Sequence, residues 1–203
     1  MVNMEQIEAL NRAFFLKLNA SPEAAPWAIQ GAALVADDLI YLVPVLLIVL
    51  WCWGSERRRN LALRACLVTL LGIGINQVIG LTWQHPRPFM TGLGQTWLPH
   101  VADSSFPSDH ATVFASVGIS LLFAREFGLA LLTLAAGLCV AWARVYLGIH
   151  FPADMLGAMG VAVLAYAGFT PVWRMTGDTV TQFAERLYRS VMAQPISRGW
   201  VRR

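Results

Sequence analysis

Apolar residues run along this chain in blocks long enough to cross a membrane. A transmembrane helix needs about 20 mostly apolar residues, and the pattern offers this at residues 60–82, 107–124, 127–146 and 152–173. A further span begins between residues 27 and 39 and ends at residue 53. The pattern predicts an all-α, polytopic membrane helix bundle of about five to six spans. The bundle covers residues 27–173 of a single domain, 1–203.

The first span carries two carboxylates, Asp37 and Asp38. Ionisable groups inside a span usually face the bundle interior or mark a functional path. Either these two lie at the membrane interface above a tilted helix, or they face the interior of the bundle. The position near the start of the apolar run favours the interface.

Two segments outside the bundle have apolar residues at helical spacing. In residues 4–18 these are Ile7, Leu10, Phe14 and Leu18, with polar residues between them. Such a helix lies in the membrane interface, and residues 1–25 are expected to be this interfacial helix and a turn. Residues 178–192 repeat the pattern within an expected cytoplasmic tail, residues 174–203.

Composition and charge agree with a membrane protein. The chain is 57% hydrophobic and 13% charged, whereas soluble domains are about 25% charged. The net charge of +3 does not indicate nucleic-acid binding, because arginines cluster at 57–59 and in the C-terminal tail, beside apolar spans. Arginine-rich loops are cytoplasmic. Segments 83–106 and 147–151 are therefore expected on the outer face.

The candidate catalytic and phosphate-binding residues lie at or near span ends on that outer face: Arg87, Ser108, His110, Arg144, His150 and Asp154. Arginine forks match phosphate oxygens. A carboxylate on one imidazole nitrogen leaves the other free as a nucleophile, which suits His150 and Asp154. Pro107 and Pro152 are expected to open two helices, with Ser105 as a cap, so that positive helix ends face the site.

This set resembles the motifs of the type 2 phosphatidic acid phosphatase superfamily. Arg87-Pro88, Pro107-Ser108-x-His110, and Arg144 with His150 and Asp154 fall at the family's positions. The resemblance implies a phosphohistidine on His150, assisted by Asp154, with His110 as acid/base. It implies phosphate binding by Arg87, Arg144, Ser108 and Asp109, and neither a metal ion nor a cofactor.

Three positions depart from the family pattern. The motif lysine falls at Gly80, the motif glycine at Asp109 and the motif serine at Ala143. Asp109 is expected to point away from phosphate or to hold an arginine or histidine. Pro-Ser-Asp-His resembles the bacitracin-resistance type of bacterial undecaprenyl-diphosphate phosphatase. That likeness implies hydrolysis of undecaprenyl diphosphate at the periplasmic face of the bacterial inner membrane.

Other functions stay open at this point. The same site could serve a phosphatidylglycerol-phosphate or phosphatidate phosphatase, or a lipid phosphotransferase, because the motifs address the phosphate and not the polyisoprenyl or glycerolipid tail. A transporter would need charges along a path through the bilayer. His85 and His100 are expected to be loop residues without chemistry, with His85 the nearer to a ligand. The oligomeric state is left open.

Overall fold

The computed structural model describes residues 3–202, a range that contains helices and no strands. The α-helices are α1 (Met4–Leu18), α2 (Pro26–Asp38), α3 (Leu42–Trp53), α4 (Glu56–Thr82), α5 (Asp109–Phe123), α6 (Phe127–Tyr146), α7 (Pro152–Val191) and α8 (Ala193–Ser197). Short 3₁₀ turns cover Leu39–Tyr41 and Pro88–Thr91.

Four helical segments are long and apolar enough to cross a membrane. They are Pro26–Trp53, which joins α2 and α3 through the first 3₁₀ turn, and helices α4, α6 and α7. Helix α5 is apolar but has only 15 residues. The predicted all-α membrane bundle is therefore confirmed, with four full-length spans and one shorter helix.

The short helix α5 is the centre of the bundle and packs against α4, α6 and α7. Phe114, Val117 and Leu121 are buried among apolar residues of α3, α4 and α6. A Cβ atom at Gly137 of α6 would lie 2.6 Å from the Phe114 Cβ atom. Only glycine allows α5 and α6 to approach this closely, as small residues do between membrane helices.

Helix α1 is an amphipathic helix, as predicted, and it lies at the end of the bundle where α7 begins. Its Asn11 Oδ1 accepts a hydrogen bond from the Ala153 N–H in the first turn of α7 (3.0 Å). Phe15 packs against Phe151 with the ring centroids 5.2 Å apart. The predicted apolar stripe stays exposed: Ile7, Leu10, Phe14 and Leu18.

Helix α7 continues well beyond the predicted end of its span at residue 173. Buried residues recur along its second half, so it keeps packing against the start of α4. Trp173 Nε1 donates to Asn60 Oδ1 (3.0 Å), and the buried Arg59 guanidinium lies 3.3 Å from Glu185 Oε1. Residues 174–191 are thus part of one long helix instead of a separate segment.

Candidate active site

A cavity of about 570 Å³ opens at the end of the bundle where α4 and α6 end and α5 and α7 begin. Its walls are the last turns of α4, the loop between α4 and α5, the first turn of α5, Arg144 and His150. A hydrogen bond within this loop, from the Ser105 N–H to the His85 carbonyl oxygen (2.7 Å), joins its two ends. Five of the seven predicted site residues line this cavity: Arg87, Asp109, His110, Arg144 and His150.

A tight turn between α6 and α7 positions His150. The turn contains Gly148 with φ +84°, where an added Cβ atom would lie 2.0 Å from the Gln95 carbonyl oxygen. A left-handed backbone and this contact together require glycine. The Ile149 N–H then donates to the Arg144 carbonyl (3.1 Å), which places His150 directly after the turn, almost fully buried.

His150 and Asp154 form a hydrogen-bonded pair. Asp154 lies in the first turn of α7, and its Oδ2 atom is 3.1 Å from His150 Nδ1. The same oxygen accepts from the Phe151 N–H (2.8 Å) and from the Ser105 hydroxyl (2.5 Å). A carboxylate can only accept, so Nδ1 carries the proton and Nε2 keeps its lone pair. This is the tautomer that a nucleophilic histidine needs.

Arg87 holds the free nitrogen of His150. Its Nη1 atom lies 3.0 Å from His150 Nε2 and donates to the Ile149 carbonyl (3.0 Å). Its Nε atom donates to Asp103 Oδ1 (2.7 Å). Burial, together with Arg87 and Arg144 nearby, holds the pKa of His150 well below its ordinary value. His150 is therefore neutral at physiological pH.

Arg144 lies in the last turn of α6 and is 2% exposed. Its Nη1 atom donates to the Ala36 carbonyl (3.1 Å) and lies 3.5 Å from Asp37 Oδ1. Asp37 and Asp38 are both exposed, so neither faces the interior of the bundle. Asp37 instead borders the site through Arg144.

The start of α5 supplies His110, Asp109 and Ser108. His110 lines the cavity. The Asp109 carboxylate turns toward α4 and accepts from Asn76 Nδ2 (2.8 Å) and Gln77 Nε2 (3.2 Å), so its partners are amides and not an arginine or histidine.

The expected cap of α5 is corrected by the structure. Helix α5 begins at Asp109 with Ser108 as its N-cap, whose hydroxyl accepts from the Ala111 N–H (3.5 Å). Pro107 therefore lies outside the helix, and Ser105 is not the cap. Pro152 does occupy the first position of α7, as expected. Ser108 is fully buried, so its role as a phosphate donor stays a prediction.

Three further residues belong to this site and were not predicted from the motifs. The Ser105 hydroxyl donates a hydrogen bond to Asp154, Asp103 accepts one from Arg87, and His100 Nε2 lies 3.3 Å from Arg144 Nη2. They belong to a loop without helical or strand periodicity, so spacing gave no signal for them. No group of three His, Cys, Asp or Glu side chains within residues 3–202 is arranged to hold a metal ion.

Comparison with known proteins agrees with the motifs and the fold. The sequence model of the PAP2 superfamily matches residues 61–178. The chain is 36% identical over 196 residues to YbjG of Escherichia coli K12, which bears the name "putative undecaprenyl-diphosphatase"; the match covers 97% of this chain and 99% of that protein. It is 30% identical over 170 residues to the undecaprenyl-diphosphatase BcrC of Bacillus subtilis, with 82% and 87% covered.

The fold has a solved counterpart. The crystal structure of Aquifex aeolicus LpxE superimposes with a TM-score of 0.63 at 19% identity, covering 78% of this chain and 93% of that one. At this identity the likeness concerns the fold alone. The family match and the near-complete alignment to YbjG cover the bundle and every motif of the cavity. The chain therefore belongs to the PAP2 superfamily and is a lipid phosphatase.

Proposed function

We propose that this chain hydrolyses undecaprenyl diphosphate to undecaprenyl phosphate and inorganic phosphate, through a phosphohistidine on His150. The geometry of His150 carries the proposal: Asp154 accepts from Nδ1, so Nε2 is unprotonated, and in the empty cavity it accepts a hydrogen bond from Arg87 Nη1 (3.0 Å). The names of YbjG and BcrC support the choice of lipid.

In the first step His150 Nε2 attacks the terminal phosphorus. A P–N bond forms while the bond from phosphorus to the bridging oxygen breaks. His110, protonated together with the bound anionic substrate, gives its proton to the leaving lipid monophosphate. Arg87 and Arg144 stabilise the charge that builds on the equatorial oxygens, which is the main catalytic task in phosphoryl transfer. Arg87 must leave Nε2 and turn its donors to the phosphate.

In the second step water attacks the phosphohistidine and the P–N bond breaks. His110, now neutral, takes the proton of the attacking water, so one histidine serves as acid and then as base. The Asp154 carboxylate stabilises the transient positive charge on the His150 ring and holds its orientation. Inorganic phosphate leaves, and the site returns to its starting protonation state.

The protein presents an apolar surface beside the cavity, on which the lipid tail can lie. Leu81 and Met90 line the cavity and are 80% and 46% exposed. Leu81 lies in the last turn of the membrane-spanning helix α4, so a headgroup in the cavity and a tail in the bilayer fit the same site. A substrate that stays in the membrane needs such continuity.

The activity test compares lipids and variants side by side. Purified protein in detergent with excess chelator should release phosphate from undecaprenyl diphosphate, and His150→Asn should abolish release. Phosphatidylglycerol phosphate and phosphatidate are the competing substrates, and a second lipid acceptor detects phosphoryl transfer. Preference for a glycerolipid would overturn the choice of substrate, and full activity of His150→Asn would overturn the mechanism.

The membrane face is a separate part of the proposal. We place the cavity on the outer face because the arginine run 57–59 lies at the opposite end of α4, and such runs are cytoplasmic. In a variant without native cysteines, Ala102→Cys beside the cavity should react with an impermeant maleimide in intact spheroplasts. Ser190→Cys near the end of α7 should react only after lysis. The reverse pattern would contradict the orientation.

A further inference from the structure

Four histidines line the cavity, and the proposed mechanism uses neither His85 nor His100. His100 lies in the loop before α5, and its ring centroid is 6.4 Å from that of His150. Its Nδ1 atom lies 3.1 Å from the Val101 carbonyl oxygen. A carbonyl can only accept, so Nδ1 carries a proton. The Nε2 atom is left to face the cavity.

The partner of that Nε2 atom is Arg144. Arg144 Nη2 lies 3.3 Å away, and a guanidinium can only donate, so His100 is neutral in the structure. Burial lowers the pKa of His100, and Arg87 and Arg144 act in the same direction. The Val101 carbonyl and the Asp103 carboxylate, 3.9 Å from Nδ1, oppose this. His110 and His150 are two further titratable groups close to His100.

A phosphate bound in the cavity replaces the cation that His100 Nε2 faces with an anion. When Arg144 donates to a phosphate oxygen, the lone pair of His100 is left beside an anion. Protonation at Nε2 turns that repulsion into a charge-assisted hydrogen bond. The site has few other cations to offer, since the motif lysine is Gly80 and Arg87 is shared with Asp103.

We propose that His100 is a further phosphate-binding residue, which takes up one proton from solvent as the substrate binds and donates Nε2–H to a phosphate oxygen. The inference rests on the proposed function only in that a phosphate group occupies this cavity. It holds for any lipid that carries the phosphate, so the lipid assay and the test below fail independently.

The direct test observes each imidazole. The chain has only four histidines, so the full-length protein labelled with [¹⁵N]histidine gives a spectrum that four His→Gln variants assign. With saturating inorganic phosphate at pH 7.5, His100 should change from the neutral Nδ1–H tautomer to the imidazolium. A His100 that stays neutral in the phosphate complex overturns the proposal, including the case where His110 alone gains a proton.

An inhibition measurement supplies the second readout. His100→Gln keeps an oxygen that can accept from Arg144, so it retains the contact in the free enzyme but cannot take up a proton. A hydrogen bond between charged groups contributes about 1.5–3 kcal/mol, and the amide N–H of this variant can replace about half of it, so the inhibition constant of inorganic phosphate should rise about 3- to 10-fold. His85→Gln is the matched control, because His85 lines the same cavity and faces Glu8. Equal inhibition constants for His100→Gln and wild type contradict the proposal.

Discussion

Ser105→Ala tests whether the Asp154 carboxylate orients the nucleophile. Ser105 is fully buried, and its hydroxyl donates to Asp154 Oδ2 (2.5 Å) while lying 3.3 Å from His150 Nδ1. It does not line the cavity, so a substrate does not touch it. Besides His150, two donors hold the Asp154 carboxylate: the Ser105 hydroxyl and the Phe151 N–H. The substitution removes the first and leaves the second.

The size of the effect follows from the charge of the acceptor. A hydrogen bond to a buried charged group is worth about 1.5–3 kcal/mol. If that energy holds the carboxylate in the geometry that the transition state needs, its loss lowers kcat by about 10- to 100-fold. KM should change less than twofold, because Arg87 and Arg144 still bind the phosphate. The loss should be smaller than that of Asp154→Asn, which removes the charge itself.

The assay is phosphate release from undecaprenyl diphosphate over a range of substrate concentrations. Ser120→Ala is the matched control, since Ser120 is also fully buried in the bundle and its hydroxyl donates to a carbonyl of the same helix, α5. It should keep the wild-type kcat. A folded Ser105→Ala protein with wild-type kcat would refute the orienting role of Ser105. An effect confined to KM would refute it as well.

Three more outcomes are expected from the same geometry. Gly80→Lys restores the motif cation, and the site has room for the side chain because the added Cβ atom would lie 3.4 Å from the Ser104 Cβ atom. The added positive charge should lower KM about 3- to 10-fold at low ionic strength and less in high salt. An unchanged KM contradicts this. Glu185→Gln leaves the buried Arg59 without a full counter-charge and should lower the unfolding free energy by about 3–5 kcal/mol, read from thermal unfolding in detergent. Because burial depresses the pKa of His150, its lone pair persists as pH falls, and the acid limb of kcat/KM should lie below the ordinary histidine value of about 6.5; a limb above that value contradicts the assignment.

The bundle could be predicted from the sequence because membrane spans follow a simple physical rule. Length and apolarity placed α4 and α6 to within a few residues of their observed bounds. The boundary of α7 could not be predicted in this way, because its second half is held by polar contacts to α4. Asn60 and Glu185 are not apolar, and a hydropathy pattern does not register them.

The residues that we propose for catalysis could be located in the sequence for a different reason. His150 and Asp154 lie four residues apart, and the family spacing was visible in the sequence. Ser105 and His100 belong to an irregular loop and meet their partners across 49 and 44 positions. Contacts of this length depend on how the loop folds over the helix ends, which neither periodicity nor capping rules determine.

Two of the three departures from the family pattern act on the same property of the site. A missing lysine at Gly80 and an added carboxylate at Asp109 each make the cavity less positive. The structure limits the second effect, because Asn76 and Gln77 satisfy the Asp109 oxygens and keep them turned to α4. Amides satisfy the oxygens without cancelling the charge, so a dianionic phosphate still meets a weaker field than the family pattern provides. A histidine that is neutral when the cavity is empty and cationic when it is filled supplies positive charge only while the phosphate is bound. A permanent lysine would repel Arg87 and Arg144 in the free enzyme as well.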